Sequence, residues 1–273
     1  NYPYSRDNIY HRTLFVVPGV AALTSTSIGS SKSCSVVFLI TDKTLVSDFD
    51  AEFSDYLQLC QPSSVNYTIC NHPTLLRRIE ECFSMPGSAM QKTATLPLHT
   101  MPFSVLQSML SRCDPQLTDL MQSHLSKQRK GFMSTLSTYS FTDFIRLHTA
   151  EEVMDGYAQN PWTPLLGTVQ PNYTPAEYKA HLLEIIRLYE NCPNYHIHIL
   201  REEFPLVPCD FLIKASQSAF FFRNASPFDA TEVFQHNMVT AFLDCLIHHA
   251  ESSHDAMCRS DVLRALRDTV SLL

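Results

Sequence analysis

His196 and His198 flank Ile197 in the run YHIHIL, residues 195–200. Two residues apart on an extended chain, both imidazoles fall on one face of a strand, with Cβ atoms about 6–7 Å apart. That spacing suits a shared anion or metal ion. It is also the pattern of tolerated structural histidines, because Tyr195, Ile197 and Ile199 are left to supply a buried face. His248, His249, His254 and Cys258 imitate metal-ligand spacing, His254 and Cys258 being four residues apart. Glu251-Ser252-Ser253 reads as a helix end, which makes this group more simply a set of solvated or capping side chains. Asp42 follows the apolar run SVVFLIT at a strand end, where α/β folds bind ligands and where a helix cap also sits. Lys127, Arg129 and Lys130 form the densest basic run, with Arg77-Arg78 similar. No stacking aromatics interleave them, so a solvated helix end competes with a contact for an anionic partner.

Several chemistries lack their motif. The six glycines form neither GxGxxG nor GxxxxGK[ST], so no phosphate-cradling loop is present in the sequence. GxSxG, HExxH and kinase signatures are missing. No histidine is followed two residues later by lysine, the pair that phospholipase-D-type transfer needs; His124-Leu125-Ser126-Lys127 is one residue too long. The nine cysteines are odd in number, contain no CxxC, and several, such as Cys245 in AFLDCLI, sit in apolar runs. They read as reduced, buried thiols of a cytoplasmic protein. Asn66, Asn172 and Asn224 open glycosylation sequons that do not outweigh this reading. No catalytic set, metal site or cofactor is therefore assigned. A catalytic set scattered in sequence stays open as the rival reading, a hydrolase or transferase using unpatterned His, Asp and Cys.

The elements that must position these groups belong to an ordinary globular chain. Its 273 residues are 45% hydrophobic, 11% aromatic and 17% charged, enough for a buried core without disulfide or metal staples. A net charge of −7 argues against a domain that itself coats nucleic acid. No apolar run reaches membrane-span length, so no membrane partner is expected. The chain opens on Asn1 with no apolar leader, and excision from a longer protein is the expectation.

Strands are expected at 13–17, 35–41 and 65–70, and helices at 48–60 (Asp48 as a cap) and 73–83. Residues 84–101 read as loop. Helices follow at about 102–111, 114–129 and 130–138, and 139–149 reads as a short helix or extended segment. A helical turn at 150–156 precedes a proline-rich connection over 158–175, with a strand at 164–169. Thr174-Pro175-Ala176-Glu177 is a helix start, with Thr as cap, Pro at the first position and Glu at the third. That helix runs over 175–190 to a strand at 195–200. Strands at 207–214 and 217–223 and helices at 231–250 and 260–271 complete the chain. The fold class is α/β, with α+β as the alternative. Two α/β halves, 1–100 and 158–273, surround a mixed sheet, with a helical insertion over 101–157. A single mixed sheet with a separate helical subdomain is the competing picture.

Residues 174–200, TPAEYKAHLLEIIRLYENCPNYHIHIL, resemble the C-terminal sensor region attached to helix-turn-helix transcriptional regulators of Gram-positive bacteria. The upstream STYSFTDFIRL and the downstream REEFPLVPCDFLIKASQSAFFFR fit the same pattern, which covers about residues 130–250. The resemblance implies a non-catalytic region that answers a small molecule or a partner subunit, in some members with a degenerate phospholipase-D-like shape. It implies a homodimer whose DNA contact is made by an N-terminal segment missing from this chain. No ligand residues carry over from the family. The expected pocket lies between sheet and central helices, lined by Tyr139, Phe141, Phe144 and Trp162, with His196, His198 or Arg146 as polar anchors. A purely structural dimerisation module, pairing through the 231–250 helix, is the third reading.

Overall fold

The computed structural model describes residues 10–28, 36–60, 62–113, 115–159, 172–200, 209–223, 229–252 and 257–273. The chain divides into two compact units, Asn1–Ser63 and Ser64–Leu273. This division falls at a different place from the boundaries expected after residues 100 and 157.

The first unit is a three-stranded antiparallel sheet in the order β1 (Tyr10–Val17), β2 (Ala21–Ile28), β3 (Val37–Ile40), followed by helix α1 (Lys43–Gln58). Gly19, at φ +70°, supplies the left-handed residue of the β1–β2 turn. Asp42 caps α1 by accepting the Thr44 and Leu45 amides, so the helix begins earlier than the residue-48 start expected. The helix lies over the sheet face that bears Arg12, whose guanidinium pairs with Glu52 and sits 5.7 Å from the Phe49 ring centre. Ala22 on that face and Val46 of α1 are the buried apolar residues of this unit among those described. The strands expected at 13–17 and 35–41 thus belong to a sheet of their own. The Ser/Thr-rich β2 between them gave no recognisable apolar signal.

The second unit holds a seven-stranded mixed sheet. Its strands are β4 (Ser64–Thr68), β5 (Ala89–Thr93), β6 (Phe141–Ile145), β7 (Tyr195–Ile199), β8 (Cys209–Lys214), β9 (Ser218–Arg223) and β10 (Asp229–Val233). The order is β4-β10-β9-β8-β5-β6-β7; β5, β6 and β7 run parallel and the rest pair antiparallel. Helices α2 (His72–Ser84), α3 (Phe103–Leu110), α4 (Pro115–Leu136), α5 (Ala150–Met154), α6 (Pro175–Asn191), α7 (His236–Ser252) and α8 (Arg259–Leu272) complete it. The α/β class and the mixed sheet hold, and α3 and α4 form the helical insertion between β5 and β6.

One face of the sheet carries most of the core. Phe141, Ile145, Tyr195, Ile197, Leu212 and Phe220 point into it, against α2, α3, α4, α6 and α8. On the other face Val239 and Leu246 of α7 cover Phe211, Ile213 and Ala219. The helix start at Thr174 is as expected: its hydroxyl accepts the Glu177 amide, and Glu177 returns a carboxylate to the Thr174 amide.

Three expectations are corrected. The supposed loop 84–101 contains β5. Helices 114–129 and 130–138 are one helix, α4, running through Gly131, where a Cβ would lie 3.0 Å from the Phe83 backbone of α2. The helix expected at 231–250 is the strand β10 followed by α7. The strand expected at 164–169 lies outside the described residues.

Candidate functional site

The parallel register β6–β7 places Phe144 beside His198 and Thr142 beside His196. Alternation puts these four side chains on the face opposite Tyr195 and Ile197, as the spacing predicts. The His198 ring lies nearly flat on Phe144, with centroids 4.9 Å apart and planes 16° apart. Phe144 is buried and backs the imidazole, which stays partly exposed. Burial lowers the His198 pKa, and His196 beside it lowers it further. Burial also lowers His196, with Arg259 adding to the effect. Both rings are therefore neutral at neutral pH.

Arg146 follows β6 at the carboxyl end of the parallel strands, the end at which open α/β sheets hold their ligands. Its Nη2 donates to Glu152 Oε1 at 2.8 Å. The other oxygen of Glu152 closes the α5 capping box on the Thr149 amide at 2.9 Å and meets His148 Nδ1 at 3.3 Å. The Glu152 carboxyl pKa is lowered, first by that backbone hydrogen bond. Nearby, Lys92 Nζ donates to the Cys209 carbonyl at 3.0 Å and Asp210 accepts the Ala94 amide at 3.0 Å. The carboxyl end is thus lined by Arg146, Lys92, neutral imidazole and hydrogen-bonded carboxylates.

The expected lining does not share one space. Phe141 points into the helix-packed core, whereas Phe144, His196 and His198 occupy the opposite face. Tyr139 precedes β6 at its amino end, about 20 Å along the strand from Arg146. Trp162 lies outside the described residues, as does His254. The sheet itself therefore separates the residues that were expected to face the central helices together.

A second group was not legible in the sequence. Asp143, at the centre of β6, is completely buried and receives Tyr195 Oη at 2.6 Å and His99 Nε2 at 3.0 Å on the same oxygen, Oδ2. His99 is likewise fully buried, packed by Phe132 at 4.3 Å, Phe141 at 4.8 Å and Phe83 at 5.2 Å between ring centres. Among the described residues, Asp143 Oδ1 and His99 Nδ1 have no hydrogen-bond partner. Beyond it, His181 bridges Thr100 Oγ1 at 2.9 Å and Tyr173 Oη at 2.8 Å, and burial lowers its pKa to about 3. A His–carboxylate pair has the look of a general base with its orienting acid. This one is sealed by aromatic rings, and a substrate would have to replace core side chains to reach it.

Arg129, Lys127 and Arg78, singled out in sequence, are paired. Arg129 binds Glu184 and donates to the Thr100 and Met101 carbonyls, each at 3.0 Å. Lys127 lies 3.2 Å from Glu80, and Arg78 pairs with the fully buried Glu232 at 2.8 Å. Among the described residues no group of three or more His, Cys, Asp or Glu side chains could hold a metal ion. No helix among them is long and apolar enough to cross a membrane.

No family model matches the chain, and the search of curated proteins returned no match. Among solved structures the chain is similar to TrmBL2, an archaeal chromatin protein described as showing a novel mode of DNA binding. The alignment covers 86% of this chain and 76% of that one, at 9% identity and a TM-score of 0.34.

Proposed function

We propose that this chain is the non-catalytic effector region of a transcription regulator, which binds a small molecule, pairs with a second copy of itself, and leaves DNA contact to another segment. The observation that carries the reading is the stacked His198–Phe144 pair, with Arg146 directly after the strand that bears Phe144. A rigid neutral ring beside a permanent guanidinium suits a planar anion, such as an aromatic carboxylate or phosphate ester. An arriving anion competes with Glu152 for Arg146. Because Glu152 also caps α5, the exchange gives bound and free states different contacts at that helix, which is what a ligand needs in order to shift an equilibrium. The burial of His99–Asp143 favours this reading over hydrolase or transferase chemistry.

The test is thermal unfolding and calorimetric titration of the chain with a panel of aromatic carboxylates and phosphate esters. At least one member is expected to raise the melting temperature, with binding weakened roughly tenfold or more in both Arg146→Ala and His198→Ala. A ligand whose affinity is untouched by both substitutions removes the site. Turnover of any panel member removes the non-catalytic reading.

A further inference from the structure

Within its own unit the β1–β2–β3 sheet has one face under α1 and one face that no described element of that unit covers. Directly paired residues share a face, so the registers Phe15–Leu23–Leu39, Thr13–Ser25–Val37 and Val17–Ala21 define the uncovered one. Phe15 is 65% exposed, Val17 57%, Val37 55% and Leu39 68%. We propose that this face is where two copies of the chain pair, sheet against sheet.

Three observations select a second copy as the occupant. The face carries no charged residue, in a chain whose net charge is −7. Two like-charged copies approach most cheaply through an uncharged surface, whereas a basic partner would find no carboxylate here to meet. The four most exposed side chains leave roughly 400–500 Å² of apolar surface open, the upper range of what monomers leave uncovered. Ala21, Leu23 and the Ser/Thr rim of the same face extend the patch towards the ~800 Å² per partner of a standard interface. A two-fold axis through the Phe15–Leu23–Leu39 row would set identical rows against each other about 10 Å apart, as in a β-sandwich. Pairing would also give this small unit the apolar cover that Ala22 and Val46 alone do not provide.

This inference rests on the self-association included in the reading above, and the experiment separates the two. Sedimentation equilibrium of the chain is expected to give twice the monomer mass. Leu39→Arg and Phe15→Arg should each raise the dissociation constant roughly 100-fold or more, because each buries a charge against its symmetry copy. A native monomer overturns both the surface and the proposed self-association, leaving ligand binding standing. A dimer unaffected by either arginine overturns only the surface, and sends the search to α7 or to a sheet edge. Should the arginine variants unfold, Val17→Thr with Leu39→Thr is read instead, since it keeps strand propensity while removing apolar contact. Weakened pairing supports the face, and unchanged pairing overturns it.

Discussion

Tyr195 donates its phenol to Asp143 Oδ2 across adjacent parallel strands at 2.6 Å, and the same oxygen accepts His99 Nε2 at 3.0 Å. One carboxyl oxygen thus ties β6, β7 and the turn at 98–100 beneath the core. Truncating the carboxylate takes this acceptor from both buried donors at once. Asp143→Ala is expected to cost about 3–5 kcal/mol, because both an imidazole and a phenol lose their acceptor. Tyr195→Phe, which removes only one donor, should cost about 1–2 kcal/mol. Urea unfolding measures both, and a loss below about 1 kcal/mol for Asp143→Ala would contradict the structural role.

His181 makes stability depend on pH. Its folded pKa is lowered by burial from 6.5 to about 3, so the unfolded chain takes a proton that the folded one refuses. That contribution is complete above the unfolded pKa and is lost as pH falls from about 6.5 towards 3, at up to about 1.4 kcal/mol per pH unit. Burial also lowers His124 and His148, which act in the same direction. Unfolding free energies at pH 7.5 and 5.5 should differ accordingly. His181→Gln should flatten the slope by close to one proton, and an unchanged slope would place the effect elsewhere.

Gly131→Ala tests the approach of α4 to α2. Helix propensity favours alanine by up to about 1 kcal/mol. A Cβ 3.0 Å from backbone atoms of Phe83 meets atoms that yield little, and overpacking of this kind costs about 1–3 kcal/mol. Net destabilisation is expected by chemical unfolding. A stabilised variant would mean that the two helices separate easily.

Glu232 offers a contrast between breaking and replacing a buried ion pair. It is fully buried and holds Arg78 at 2.8 Å and Tyr67 Oη at 2.7 Å. Glu232→Ala should lose about 3 kcal/mol, because Tyr67 Oη loses its acceptor and Arg78 keeps only Glu81 as an ionic partner. Adding Arg78→Met should recover much of that loss. A double variant no better than the single one would show that the Glu232 pair itself, and not the charge left with Glu81 alone, carries the stability.

What could be read from the sequence follows from where polar residues sit. The Thr174–Glu177 capping box and the apolar stripe behind it mark α6 because cap chemistry is local. The alternation of YHIHI marks β7 for the same reason. In β5, AMQKT places Gln91 and Lys92 at the centre of a sheet, where tertiary pairing overrides pattern. In β10, DATEV hides Glu232 in the core; a buried carboxylate is indistinguishable in sequence from a surface one until Arg78, 154 residues away, is seen beside it. Asp143 and His99 were missed likewise, since 44 residues separate them. The pairing of His198 with Phe144 could have been inferred only once β6 was known to be a strand in parallel register with β7.

The strand order puts β4 beside β10, so Asn66 lies opposite Thr231 and their side chains bond at 2.9 Å. During synthesis, the first strand of the seven-stranded sheet waits for its neighbour to emerge, Thr231 being 165 residues beyond Asn66. Such distant partners make folding slow and leave the waiting strand as an open template in the meantime.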